Sequence, residues 1–332
     1  MKRWVRVCAV LFGGMAMALA VAACGGSESS EGEGGTAGQE LSQEPIRVFV
    51  GIDTAYSPFF VAERQGYFED EGINADLTQF TQGGEGVDAL IAGQMDAGGS
   101  GDATVLGKSV HGNIKALAVL QTSGDILKLV VRQEITDVEQ IKTIGIVPGS
   151  LSEYAAAQLL KHFDIPESSI KFVSAGPPEM PPLLQKGDID AYVLWEPWPT
   201  KGEELGGKIL MHTKDFGYSY LFMLVVNEDW FADHEAEAAA YVRAMAKGAD
   251  TVEEDPQLAA EDTKAEVKIP IELSLQVIDE ALFKVRPFTD ADITYLEEVA
   301  DFLVQRKITE TRPDPKELIV EGFAEKALAG EI

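Results

Sequence analysis

From Ile46 onward the chain alternates between strand-like and helix-like spacing of its apolar residues. "IRVFVGI" reads as a β-branched strand, "DTAYSPF" as a loop, "FFVAERQGYFEDEG" as a helix ending at Gly72, and "INADLTQF" as a second strand. "GGEGVDALIAGQM" reads as a loop and short helix, and "IKALAVL" and "LKLVVR" as further strands. The plan then repeats. "KTIGIVPGSLSEYAAAQLLKHFDI" is again strand, loop and helix; "IKFVSAG" is the next strand, and "PPEMPPLLQKGDIDAYVLWEP" is a helix running into a strand. Aligning Gly93 with Gly187 pairs Leu90 with Leu184, Asp96 with Asp190 and Ala97 with Ala191. The period is too long for a solenoid. The pattern predicts an α/β protein of two similar lobes, each with a largely parallel sheet. "LFMLVVNEDWF" reads as a strand returning to the first lobe. The rest is helical, with Asp290 as the N-cap of the segment "DADITYLEEVADFLVQRKI".

The N-terminus is different in kind. Lys2, Arg3 and Arg6 precede an apolar stretch from Val7 to Ala23, which has the shape of an export leader. Gly13 and Gly14 interrupt it, and it is short for a permanent membrane span. "VAAC" resembles the lipobox of bacterial lipoproteins, which implies a leader over residues 1–23 and a lipidated Cys24 as the new N-terminus. Residues 24–44 are rich in Gly, Ser and Glu and read as a flexible acidic tether. The other cysteine, Cys8, leaves with the leader, so the mature chain has no disulfide and no cysteine metal site.

The 332 residues, 45% of them hydrophobic, suffice for two domains with cores of their own. The formal net charge is −28, and loss of the leader makes it more negative. Such a field disfavours nucleic acid and anionic lipid headgroups as partners.

"SPFFVAERQGYFEDEGINADL", "LIAGQMDAGGSGDATVL", "IGIVPGSLSEY" and "LLQKGDIDAYVLWEPWP" resemble, in this order, segments of the substrate-binding proteins of ABC importers. The group in question handles nitrate, sulfonates, taurine and pyrimidine precursors of thiamine. The resemblance covers roughly residues 45–310. It implies a type II periplasmic-binding fold, with the ligand in a cleft between two lobes joined by crossovers near Leu127–Arg132 and Leu221–Asn227. Lobe one would then be residues 45–128 and 226–332, and lobe two residues 129–225. It also implies a monomer anchored by lipid outside the cytoplasm, working with permease and ATPase subunits.

In open α/β sheets, ligands bind outside the carboxyl ends of the strands. That rule selects Asp53, Tyr56 and Ser57 after the first strand, and Ser100, Gly101 and Asp102 after the strand that follows Asp96. In the second half it selects Gly149, Ser150, Ser152 and Tyr154, then Glu179, then Trp195, Glu196 and Trp198; Tyr218 and Tyr220 precede the return strand. The glycines admit close backbone approach, and helix starts favour negative charge. Ser152 fits a helix cap as well as a ligand contact, Trp198 fits packing under its turn, and two of the four tyrosines are expected in the core. The internal alignment sets Asp102 opposite Glu196, one carboxylate per lobe, and no selected loop contains Lys or Arg. Desolvated carboxylates need donors. This points to a nitrogenous ligand, an amine or an aminopyrimidine-like ring, with a sulfonate, nitrate or taurine-type anion as the alternative. A sensor ectodomain or a relative of the pyrimidine-forming enzymes is the rival class. His111, His162, His212 and His234 are scattered outside the loops, so neither catalysis nor a metal or other cofactor is expected.

Overall fold

A computed structural model of the chain describes residues 41–42 and 44–332. The leader, Cys24 and residues 25–40 of the tether lie outside the described residues. The packed chain begins earlier than the tether reading allows: Leu41 packs against the apolar core, and Ser42 N donates to Glu237 Oε1 at 2.7 Å.

Eleven strands are found among the described residues: β1 (Ile46–Gly51), β2 (Ala75–Phe80), β3 (Ala97–Gly101), β4 (Ile114–Ser123), β5 (Lys128–Arg132), β6 (Thr143–Ile146), β7 (Lys171–Ser174), β8 (Ala191–Leu194), β9 (Gly207–His212), β10 (Tyr220–Asn227) and β11 (Leu282–Arg286). They form two sheets, ordered β11-β4-β10-β3-β1-β2 and β7-β6-β8-β5-β9. The two orders are the same apart from the added β11. In each sheet three strands are parallel (β2, β1 and β3; β7, β6 and β8), and the next strand is antiparallel (β10; β5). The sheets are therefore mixed, because each lobe takes its fourth strand from the crossover that enters it. The chain leaves the first sheet between Ser123 and Lys128 and returns between His212 and Tyr220. Residues 221–225, placed in lobe two by the sequence reading, pair with β3 and β4 in the first sheet.

The internal repeat has a physical basis. Asp96 accepts from Arg47 N at 2.8 Å and Asp190 from Thr143 N at 2.9 Å, so in each half an aspartate before the third strand fixes the start of the first. Gly93 and Gly187 precede them with φ of 72° and 78°, left-handed turns that glycine adopts without strain.

β10 is buried along its whole length, and β5 and β8 are buried on both faces. Leu129, Val131, Ala191 and Val193 join the main apolar core, while Val130, Tyr192 and Leu194 join a smaller cluster on the other face. This is why these strands read as unbroken apolar runs. β3, "AGGSG", is rich in glycine because Phe49 fills the space where a Cβ on Gly98 would go and Phe222 the space at Gly99.

Local expectations shift in two places. The first helix breaks at Gly66, φ 77°, into Ser57–Arg64 and Tyr67–Asp70. The N-cap of the helix Asp290–Gln305 is Thr289, in a reciprocal box with Asp292; Asp290 is the first helical residue.

Candidate functional site

The strand ends of both sheets open onto one cleft, which encloses a cavity of about 140 Å³. The first lobe contributes Asp53–Tyr56 after β1, Gln82–Gly84 after β2, and Ser100 and Gly101 at the end of β3. The second contributes Val147–Leu151 after β6, and Trp195 and Glu196 after β8. Tyr220, Phe222 and Val277 also line it, as do Glu85, Asp88, Thr104, Lys108, Ile126 and Leu127. The lobes meet beside it: a Cβ on Gly101 would lie 2.5 Å from Leu151 Cδ1.

Two helices start at this cavity. Gly83 and Gly84 open the helix Gly83–Ile91, whose N-cap, Gln82, makes no side-chain capping bond. The first N–H groups of a helix have no partner inside it, so this end presents donors and the positive end of a helix dipole. A Cβ on Gly83 would collide with Tyr56 Oη and lie 2.7 Å from Ser100 Oγ, so only glycine lets the backbone come this close. The helix Leu151–His162 is more self-contained. Ser150 Oγ accepts from Ser152 N at 3.1 Å, and Gly149 N donates to Glu153 Oε2 at 2.9 Å.

Asp53 is 8% exposed and lines the cleft. Its Oδ1 accepts from Ala55 N at 3.0 Å. Burial pushes its pKa up to about 7, against the smaller downward pull of that N–H. Tyr56 Oη donates to Gly99 O at 2.8 Å and Tyr220 Oη to Gln121 Oε1 at 2.7 Å, so both hydroxyl protons are committed elsewhere. The rings of Tyr56 and Phe222 meet edge to face, 5.1 Å between centroids. At the rim, Lys108 Nζ is held by Asp88 at 2.6 Å.

Nine of the residues selected on sequence line this cavity: Asp53, Tyr56, Ser100, Gly101, Gly149, Ser150, Trp195, Glu196 and Tyr220. The others lie elsewhere. Ser57 is fully buried, with its Oγ 2.6 Å from Thr263 Oγ1. Ser152 is buried and its Oγ accepts from Val147 N at 3.4 Å. Tyr154 and Tyr218 pack edge to face 5.1 Å apart, and Phe302 closes on Tyr154 at 4.7 Å. Glu179 is exposed and accepts from Gly176 N. Trp198 packs against the smaller apolar cluster, and its carbonyl accepts from Tyr192 Oη.

The pairing of Asp102 with Glu196 holds in structure but has a different meaning. Asp102 is fully buried and accepts from Ala103 N, from Leu221 N at 2.7 Å and from Tyr295 Oη at 2.9 Å. Burial pushes its pKa up to about 6, with these three donors opposing. Glu196 Oε1 accepts from Lys128 Nζ at 2.9 Å, and Oε2 accepts from Thr200 N at 3.1 Å. Lys128 is itself fully buried and lies 2.8 Å from Glu280 Oε2 of the first lobe. Leu221 is the second residue of the strand entering the first sheet, and Lys128 the first of the strand entering the second. The two carboxylates thus anchor the crossovers, and their donors come from the protein. Sequence reasoning that counted cations only in the loops missed Lys128, which sits in a strand. It also missed Gln82–Gly84, which the strand-end rule would have selected had it been applied after β2.

Residues 41–267 match the model of the NMT1-like family. A protein of Bacillus subtilis (strain 168) named for binding aliphatic sulfonates is 25% identical over 312 residues, 90% of this chain and 92% of that one. The taurine-binding periplasmic protein of Escherichia coli (strain K12) is 29% identical over 213 residues, 62% of this chain and 65% of that one. A 4-amino-5-hydroxymethyl-2-methylpyrimidine phosphate synthase of Uromyces fabae is 25% identical over 219 residues, 60% of this chain and 64% of that one. Among solved structures, the alkanesulfonate-binding protein SsuA from Xanthomonas axonopodis pv. citri, bound to MOPS, superposes with a TM-score of 0.74 at 15% identity, covering 84% of this chain and 99% of that one. That likeness shows the fold: two α/β lobes of the periplasmic-binding type around a cleft.

Proposed function

The chain belongs to the NMT1-like family, and from that premise we propose that it is an extracytoplasmic solute-binding protein that hands a small molecule to the permease and ATPase of an ABC importer. The observation that carries this reading is the cavity lined by strand ends from both lobes. The donors at the start of the Gly83–Ile91 helix, with the hydroxyls of Ser100 and Ser150, suit an acidic group on the solute. The names of the sulfonate- and taurine-binding relatives support the same class. Trp195 gives the cleft a broad apolar wall and one N–H donor. The lobe boundaries follow the sheets: residues up to about 125 with those from about 218 onward, and the stretch between them.

The names of the sulfonate- and taurine-binding relatives favour binding over catalysis. Anchoring falls to Cys24: lipid label present on the wild type and lost in Cys24→Ala supports it, and equal label in both refutes it.

Binding is tested by thermal shift against sulfonates, phosphonates, carboxylates, nitrate, amines and pyrimidines, followed by scattering on any compound that stabilises. A bound solute stabilises by RT ln(1 + [L]/Kd), and lobes that hinge shut on it lower the radius of gyration. A chain that no compound stabilises, or that binds without compaction or change in Trp emission, contradicts the reading.

A further inference from the structure

We infer that Asp53 is the specificity-determining residue of the cleft and takes a protonated amine, so that the solute is a small zwitterion: an aminated sulfonate, phosphonate or carboxylate. This rests on the solute-binding reading above and narrows it.

The argument begins with how the buried carboxylates are satisfied. Asp96 holds Arg47, Asp262 holds Arg64, Asp292 holds Arg286, Glu153 holds Arg306 and Glu196 holds Lys128. Asp102 has three neutral donors. Asp53 has one backbone N–H, and no ion pair to it is found among the described residues. Glu237, the other buried carboxylate held by a single donor, does not line the cleft. A desolvated carboxylate short of donors is costly unless something supplies them.

The phenolic and ammonium donors beside the cleft are already engaged. The hydroxyls of Tyr56 and Tyr220 donate to Gly99 O and Gln121 Oε1. Lys108 is engaged with Asp88, and Lys128 is enclosed between Glu196 and Glu280. A solute that carries its own charged donor supplies what these engaged groups do not. The surroundings favour a cation over a neutral hydroxyl, because Tyr56, Tyr220 and Phe222 line the same cavity and aromatic rings attract ammonium groups.

The opposite requirement is met a short way off. Tyr56 begins three residues beyond Asp53, and its hydroxyl touches the position that a Cβ on Gly83 would occupy, where the open helix start calls for negative charge. A short molecule with an ammonium at one end and an acid at the other satisfies both sites. A simple anion leaves Asp53 unpaired, and a simple amine leaves the helix start empty.

The test uses matched pairs that differ only in amine or hydroxyl: taurine and isethionate, aminomethylphosphonate and hydroxymethylphosphonate, β-alanine and its hydroxy counterpart. Each is titrated calorimetrically into the full-length protein, and into Asp53→Asn and Asp53→Ala. The expected result is that at least one amine binds ten- to hundredfold tighter than its hydroxyl partner, and that both variants erase the preference. The assignment is overturned if the hydroxyl partners bind the wild type as tightly, if the variants keep the preference, or if only compounds without an amine bind; in these cases the solute-binding reading survives. If no pair binds, the assignment falls. If nothing in the wider solute panel binds either, the solute-binding reading falls with it.

Discussion

Replacing Lys128 by methionine would remove a charge and leave most of the volume in place. Its ammonium is wholly enclosed, 2.9 Å from Glu196 and 2.8 Å from Glu280, whose side chains are 2% and 15% exposed. The group carries one positive and two negative charges, and the lysine is the cation that pairs with both carboxylates. Without it, Glu196 keeps one backbone donor, Thr200 N, and faces Glu280 across the gap. Breaking a buried ion pair in this way costs about 3–5 kcal/mol, a large fraction of a typical stability of about 5–15 kcal/mol. Neutralising all three residues (Lys128→Met with Glu196→Gln and Glu280→Gln) should restore most of the loss, because no charge then remains unpaired. Urea unfolding at neutral pH, followed by both Trp emission and far-UV dichroism, measures the difference and checks that the two signals coincide. A single-variant cost under about 1 kcal/mol, or a triple variant no more stable than the single one, refutes the reasoning.

The other predictions concern the cleft, the packing and pH. Gly83→Ala drives a methyl group into Tyr56 Oη and Ser100 Oγ beside the cavity, and the buried, hydrogen-bonded Tyr56 must give way, so solute affinity should fall at least about tenfold in calorimetry and the melting temperature of the free protein should drop as well. Gly248→Ala, in the helix Glu235–Glu254, drives a Cβ into the backbone carbonyl of Pro58; overpacking of about 1–3 kcal/mol outweighs a helix-propensity gain of up to about 1 kcal/mol, so the melting temperature should drop by several degrees in calorimetric scans. For Asp53 the folded pKa of about 7 is raised above its ordinary value, so the neutral carboxyl stabilises the free protein below about pH 4, and that contribution is lost as the pH rises through 7. Wild-type stability minus that of Asp53→Asn should therefore fall over this range by up to about 4 kcal/mol in urea unfolding, and parallel curves would contradict it. Asp102, whose pKa is about 6, titrates in both proteins and cancels in the difference.

The alternation of strands and helices was legible because apolar spacing reports burial directly, and the repeat around Asp96 and Asp190 was legible because each aspartate serves the strand next to it. What escaped was short or distant. β9 and β11 are half-exposed strands, five or six residues long, whose apolar pattern does not stand out from the helices around them. Gly101, Gly149 and Trp195 followed from strand ends alone, whereas Gly83 and Gly84 did not. Asp102 and Glu196 were read as short of donors because their partners lie 119 and 68 residues away. "LKLVVR" did carry the clue: a lysine at the head of a strand buried on both faces needs a carboxylate somewhere.

The exchange of fourth strands bears on the order in which the molecule can assemble. β10 fills the gap between β3 and β4, yet it is synthesised only after the whole second lobe. Until then β3 and β4 have no strand between them, and each presents an open row of N–H and C=O groups. A chain emerging N-terminus first therefore cannot complete its first lobe early, however long that segment waits. Long-range pairing of this kind slows folding. For a chain whose leader is read as an export signal, the delay is useful: most of the polypeptide would still be threadable when the leader engages the membrane, and the lobes would close on the far side.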